Sequence, residues 1–252
     1  GKTFVGNIEI DQADGNDPLH PIIFKSYGNG RATIQTNSTL KCGFKATNTQ
    51  GVVIDNLQFK GPGNGTVKDM DGVQFYSTLP AGYLSAIQLK NLEVSGFGFC
   101  GIRLYSSWSA TVKSGFKDVL IDSCSVHDCR ENGIVTFAYD DQTTNFYHHK
   151  NINVKHTKVY NITGYAAASH KGSGIVLSQL DSSLIEKCEA YNTGTANTAC
   201  GGPGGIWVYA ANRILIQYCE SHHNSSGTST GCDGLGFDLD GGVTNSTLQY
   251  CY

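Results

Sequence analysis

Six times the chain returns to one short phrase, a glycine followed by alternating apolar residues: Gly72-Val73-Gln74-Phe75-Tyr76, Gly101-Ile102-Arg103-Leu104-Tyr105, Gly133-Ile134-Val135-Thr136-Phe137, Gly174-Ile175-Val176-Leu177-Ser178, Gly205-Ile206-Trp207-Val208-Tyr209 and Gly236-Phe237-Asp238-Leu239-Asp240. A second strand-like phrase recurs between them. Aligning Ile54, Leu89, Ile121, Val154, Ile185, Ile216 and Leu248 gives steps of 35, 32, 33, 31, 31 and 32 residues. A near-constant period of this length marks a repeat architecture, in which each unit buries its apolar side only against its neighbours.

The period also selects the kind of repeat. Within each unit the inward positions alternate, slip by one at a two-residue outward bend, and alternate again, as Ile87, Leu89, Leu92 and Val94 do around Lys90-Asn91. Alternation is the strand periodicity, and nothing between the strands has the amphipathic length of a helix. About 31–33 residues per turn holding short strands is the arithmetic of an all-β, single-stranded right-handed parallel β-helix. The 31 glycines, the 39% hydrophobic and the 15% charged residues fit many short strands and turns. We therefore expect one domain, with residues 1–50 as N-terminal capping coils and 51–252 as regular coils of a chain that continues beyond this piece. The net charge of −3 and the lack of basic clusters offer no footprint for nucleic acid, and no apolar run reaches membrane-spanning length.

Register turns sequence positions into spatial columns. Leu57, Leu92, Cys124, Thr157, Cys188, Cys219 and Cys251 share one inward column. Parallel Cα–Cβ vectors at strand spacing disfavour disulfides there, so its four cysteines read as buried free thiols. Cys200 and Cys232 precede successive Gly-Ile strands in loops; a disulfide between them is one reading, and it would indicate an oxidising compartment. The bend column Asp55, Lys90, Asp122, Lys155, Glu186, Gln217, Gln249 reads as a charge ladder on a solvated edge.

Chemistry concentrates on the outward positions of the Gly-Ile strands. One column is Gln74, Arg103, Val135, Val176, Trp207, Asp238; its neighbour is Tyr76, Tyr105, Phe137, Ser178, Tyr209, Asp240. Aromatic side chains on an exposed face suit the C–H surfaces of sugars, so Trp207, Tyr209, Tyr105, Tyr76 and Phe137 are candidate substrate contacts; a loop packed over them is the competing reading. Asp238 and Asp240 lie at i and i+2, about 7 Å apart by strand rise, the separation of the carboxylates of an inverting glycosidase. With Asp233 they equally form a hard-oxygen set for Ca2+, or simply ordinary turn aspartates. For β-elimination, Arg103 is the best base or neutraliser, followed by His170 and Lys171. His127-Asp128 and His222-His223 read as turn residues, and Asp140-Asp141 as an acidic pair of unfixed position.

The repeated units, with Asn56-Leu57-x-Phe59 and Asn91-Leu92-x-Val94 after an apolar strand, resemble the pectin-lyase-like right-handed parallel β-helix superfamily. The segments Pro21 to Ala32 and Gly234 to Gly242 resemble bacterial secreted β-helix-repeat proteins. The resemblance implies the fold, a secreted or cell-surface protein and a polysaccharide partner. It selects no catalytic set, because the superfamily holds lyases, hydrolases, esterases and adhesins. The lyase pattern places a cation among calcium-binding acids, whereas Arg103 stands four coils, about 19 Å, from Asp238. The Gly-His-Gly stretch of polygalacturonase-type hydrolases is not matched. The leading expectation is an extracellular carbohydrate-active protein that cleaves or binds an acidic plant, algal or bacterial polysaccharide, as glycoside hydrolase or polysaccharide lyase. The alternative is a non-catalytic adhesin or structural segment of a larger secreted protein.

Overall fold

The structure, a computed structural model, describes residues 1–140, 146–166, 170–199, 201–226 and 233–252. Every strand pairing in it is parallel, between one coil and the next, as a β-helix requires. An eight-stranded sheet runs from Thr3–Val5 to Glu220–His222 and forms one face. A fourteen-stranded sheet forms the other two, because strands such as Ser173–Glu186 and Gly204–Gln217 continue around the corner from one face to the next. No helix long and apolar enough to cross a membrane occurs among the described residues.

The register expected from the period is present throughout. Ile54 pairs with Leu89, Leu89 with Ile121, and so on through Val154, Ile185 and Ile216 to Leu248. Ile54 to Ile216 in this column are completely buried, and each such side chain contributes about 1.5–3 kcal/mol of hydrophobic stabilisation. The bend column is in register as well, from Asp55 through Lys90 to Gln249. The first forty residues join the same stack, with Phe24 opposite Ile54 and Ile8 opposite Phe44.

Each coil turns three corners rather than the one visible as a phase slip. Positive φ recurs at five-residue intervals, at Ala86, Asn91 and Gly96, then Asp118, Ser123 and Asp128, then Asn151, His156 and Asn161. A single left-handed residue reverses the side-chain phase and swings the strand onto a new face, and Asn and Asp tolerate it best. Their amides then bond coil to coil: Asn91 Nδ2 donates to Asp55 Oδ1 (2.9 Å), and Asn151 Nδ2 to Asp118 Oδ1 (2.8 Å). The cysteine column is as expected, with Cys124, Cys188 and Cys219 buried, Cys251 half-buried, and all four free. Cys42, Cys100 and Cys129 are also buried and free, whereas Cys200 and Cys232 lie outside the described residues.

Candidate functional site

The glycine that opens each repeated phrase decides what reaches the outer face. A Cβ on Gly72 would lie 2.3 Å from Val94 Cγ1, and one on Gly133 would lie 2.2 Å from Val159 Cγ1, so these glycines point inward against core side chains. The next residue, Val73 or Ile134, points inward too. Two consecutive inward positions shift the phase, and the residue before each glycine therefore emerges on the outer face with the one three places later. Asp71 accordingly joins Gln74 and Arg103, and Asn132 joins Val135. Strict alternation would have placed both in the core.

Of these, Arg103, Asn132 and Val135 line a cavity of about 160 Å3. Its floor is Cys100, Val135, Val176 and Trp207, a cluster of its own outside the main core. Phe99, Phe137 and Tyr209 form aromatic walls. The connection after Ile162 closes one side: Tyr165 and Lys171 both bond the buried Glu131 carboxylate, the Gly172 N–H bonds the Glu131 carbonyl, and the His170 ring sits 5.5 Å from the Trp207 ring. His170 holds a left-handed backbone, φ 60°. Trp207 donates its Nε1–H to Ser173 Oγ (3.0 Å), and the Ser173 N–H donates to Asn132 Oδ1 (3.1 Å).

Asp71 is 1% exposed and pairs at 2.7 Å with Arg103, which lines the cavity. Burial pushes the Asp71 carboxyl up to about 6, opposed by the Arg103 charge and by hydrogen bonds from the Cys100 N–H and Gln74. The guanidinium lies over Phe99 (4.7 Å) and Tyr105 (5.2 Å).

Beyond Trp207 the face continues into a smaller recess lined by His170, Gly202, Gly204, Trp207, Asp233, Leu235, Asp238 and Asp240. The register pairs Trp207 directly with Asp238. The three predicted acids thus share one recess, contiguous with the cavity through Trp207 and His170. Burial raises the Asp238 carboxyl above the usual range, with the Asp240 and Asp233 charges adding to it.

Several expectations change. Arg103 belongs to a different part of the face from the acids, four paired coils away through Val135, Val176 and Trp207, and its charge is already balanced by Asp71. It is therefore no free base or neutraliser; Lys171 is likewise paired, with Glu131. Tyr105 and Phe137 do not offer their faces, and one face of Tyr76 is covered. Tyr105 is stacked between Tyr76 (4.9 Å) and Phe137 (5.9 Å), and Trp108 covers the next face of Phe137 at 4.9 Å. Ladder stacking turns ring edges outward, where a sugar finds no apolar plane. Trp207 is 4% exposed, with the His170 ring 5.5 Å away, so it is a floor rather than an open platform. Tyr209 remains half-exposed beside it, 5.4 Å away.

His127 bonds Asp128 and stacks on Tyr160 within a second ladder through Tyr191 to His222, on the eight-stranded face. Asp140 accepts from Gln179, and Asp141 lies outside the described residues. Among the described residues, the group that brings three metal-ligating atoms within 4.8 Å of one another is Glu189, Glu220 and His222, not the aspartate trio. Lys158 and Tyr252 already hold the outer oxygens of those two glutamates. Asp233, Asp238 and Asp240 as they stand do not form a closed calcium site.

Residues 81–252 match the family model described as the right handed beta helix region, and the chain belongs to that family. Two crystal structures of a GH136 lacto-N-biosidase from Eubacterium ramulus, the selenomethionine derivative and the native protein, are similar at 18% and 16% identity. Each has a TM-score of 0.71 over 98% of this chain and 47% of theirs. A catalytic domain of a GH87 alpha-1,3-glucanase in complex with tetrasaccharides aligns at 14% identity and a TM-score of 0.40, over 90% of this chain and 52% of that one. At these identities the likeness to the lacto-N-biosidase is one of fold, and the chain spans about half of its length. A search of curated proteins finds no match.

Proposed function

We propose that the protein is a glycoside hydrolase acting on a glycan laid along this face, with Asp238 as general acid and Asp240 as general base. The observation that carries the reading is the shared recess: Asp238 is raised by burial and by two neighbouring carboxylates, and Asp240 lines the same recess against Trp207. A pair of carboxyls whose environments differ is what acid and base roles need. Their i, i+2 placement, about 7 Å by strand rise, leaves room for a water and favours inversion. The likeness in fold to the lacto-N-biosidase agrees with this chemistry.

Hydrolysis is favoured over β-elimination because elimination needs a cation free to meet a uronate carboxyl, and both Arg103 and Lys171 are engaged by carboxylates. For the same reason a neutral glycan suits the cavity better than an acidic one. No step is assigned to a metal.

Incubation with a glycan panel should release reducing ends without the ultraviolet absorbance of unsaturated uronates. Asp238→Asn and Asp240→Asn should each lower turnover by about 10²–10⁴-fold. Unaltered activity in both variants refutes the assignment. Unsaturated products establish a lyase, and glycan binding without turnover makes the protein a binding module.

A further inference from the structure

The cavity lining includes an amide donor with no acceptor among the described residues. Asn132 is 5% exposed, and its amide is oriented without ambiguity, since Oδ1 must face the Ser173 N–H that donates to it. Nδ2 is then the other end of the amide in a residue that lines the cavity, and it has no partner among the described residues. The side chain is held there by a relay of two hydrogen bonds from Trp207 through Ser173.

The rest of the lining narrows what the donor is for. The floor of Cys100, Val135, Val176 and Trp207 is apolar, and the charged groups at the edges form closed pairs, Asp71 with Arg103 and Glu131 with Lys171. The volume, about 160 Å3, is on the scale of a single pyranose ring. An apolar floor, a fixed neutral amide donor, the unpartnered Arg103 Nε–H and charges held in carboxylate pairs describe a site for an uncharged, oxygen-bearing ring.

The geometry points to a sugar-binding subsite in this cavity, separate from the acidic recess, in which Asn132 Nδ2 donates to an oxygen of one neutral sugar residue and sets its orientation. The inference rests on the reading of this face as a glycan face. The subsite begins on the far side of Trp207 from Asp238, so it holds a residue other than those flanking the bond that is cut. Asn132 is accordingly a specificity determinant and not a catalytic residue.

Saturation-transfer NMR and calorimetry with the methyl glycosides of glucose, galactose, mannose, N-acetylglucosamine and glucuronic acid test this directly. At least one neutral glycoside should bind the wild-type protein, and the glucuronide should bind more weakly than it. Asn132→Leu, which keeps the shape and removes the donor, should weaken the neutral sugar by about 3–10-fold, the equivalent of one neutral hydrogen bond. Val176→Phe, which fills the cavity without touching a hydrogen bond, should abolish binding with the circular-dichroism spectrum unchanged. Asp238→Asn should bind the glycoside as the wild type does.

Absence of binding by every neutral glycoside, equal affinity in the Val176→Phe protein, or preference for the glucuronide overturns the subsite. Because these are binding measurements, they stand apart from hydrolysis. Should the aspartate variants keep full activity while the Val176→Phe protein loses the sugar, the catalytic assignment falls and the subsite survives.

Discussion

His149 should make the protein's stability pH-dependent in a way one substitution removes. Its ring faces inward, in register with Phe116 on one coil and Leu180 on the next, and it is completely buried. Among the described residues neither ring nitrogen has a hydrogen-bond partner, and the ring stacks on Phe116 at 5.9 Å and 5°. Burial pushes its pKa down to about 3, the neighbouring His148 lowers it further, and the Phe137 carbonyl offsets only part. The folded pKa thus lies below the unfolded value of about 6.5, so the unfolded chain binds the extra proton between those limits. Stability is unaffected by this group above about pH 6.5 and is lost as pH falls below it. At about pH 5 the loss is about 1.5 units at about 1.4 kcal/mol each, or about 2 kcal/mol. Replacing His149 by Leu, the residue found one coil further on, removes the proton acceptor and two unsatisfied nitrogens. Guanidinium unfolding should show the Leu variant more stable by about 1–3 kcal/mol near pH 7.5. The gap should widen by about 2 kcal/mol near pH 5. Parallel pH dependences for the two proteins would refute the argument.

Two further outcomes test the fold and the site. Gly133→Ala places a methyl 2.2 Å from Val159 Cγ1 and 2.5 Å from the Gly174 carbonyl oxygen, and should destabilise by about 1–3 kcal/mol, read as a fall in Tm. Asp233→Asn removes one of the charges that raise Asp238, so the pKa of Asp238 should fall. If Asp238 must be protonated to act, the alkaline limb of the kcat/KM profile then moves to lower pH; an unmoved limb would remove Asp238 from the acid role.

The period carried the architecture because every inward position answers to one neighbour above and one below. Ile54 and Leu248 could be aligned without coordinates, and Trp207 could be set under Asp238. What the alternation concealed was local. Gly72 and Gly133 break the phase by pointing inward, which hid Asp71 and Asn132 from any count by twos. The signal was present in the chain all the same: a glycine recurs at one position in all six phrases, and from Gly72 to Gly205 it marks a place where a Cβ does not fit. Glu131 was missed for another reason, since its role depends on Lys171, forty residues later in a connection with no period. The aromatic column was located correctly, but ring stacking along the coil axis, which a sequence does not reveal, decides that Tyr105 shows an edge and not a face.

The parallel register also fixes how this face can vary in size. The floor from Arg103 to Asp238 is five aligned strands, one per coil, and each coil spaces its neighbours by about 4.8 Å. Duplicating a coil between Val135 and Trp207 would move the two ends of the face apart by one such step while leaving the residues at either end unchanged. The reach of the groove is therefore a whole number of coils, so copying a segment of about 31 residues changes the length of ligand it spans, whereas point substitutions change only which ligand of that length it prefers.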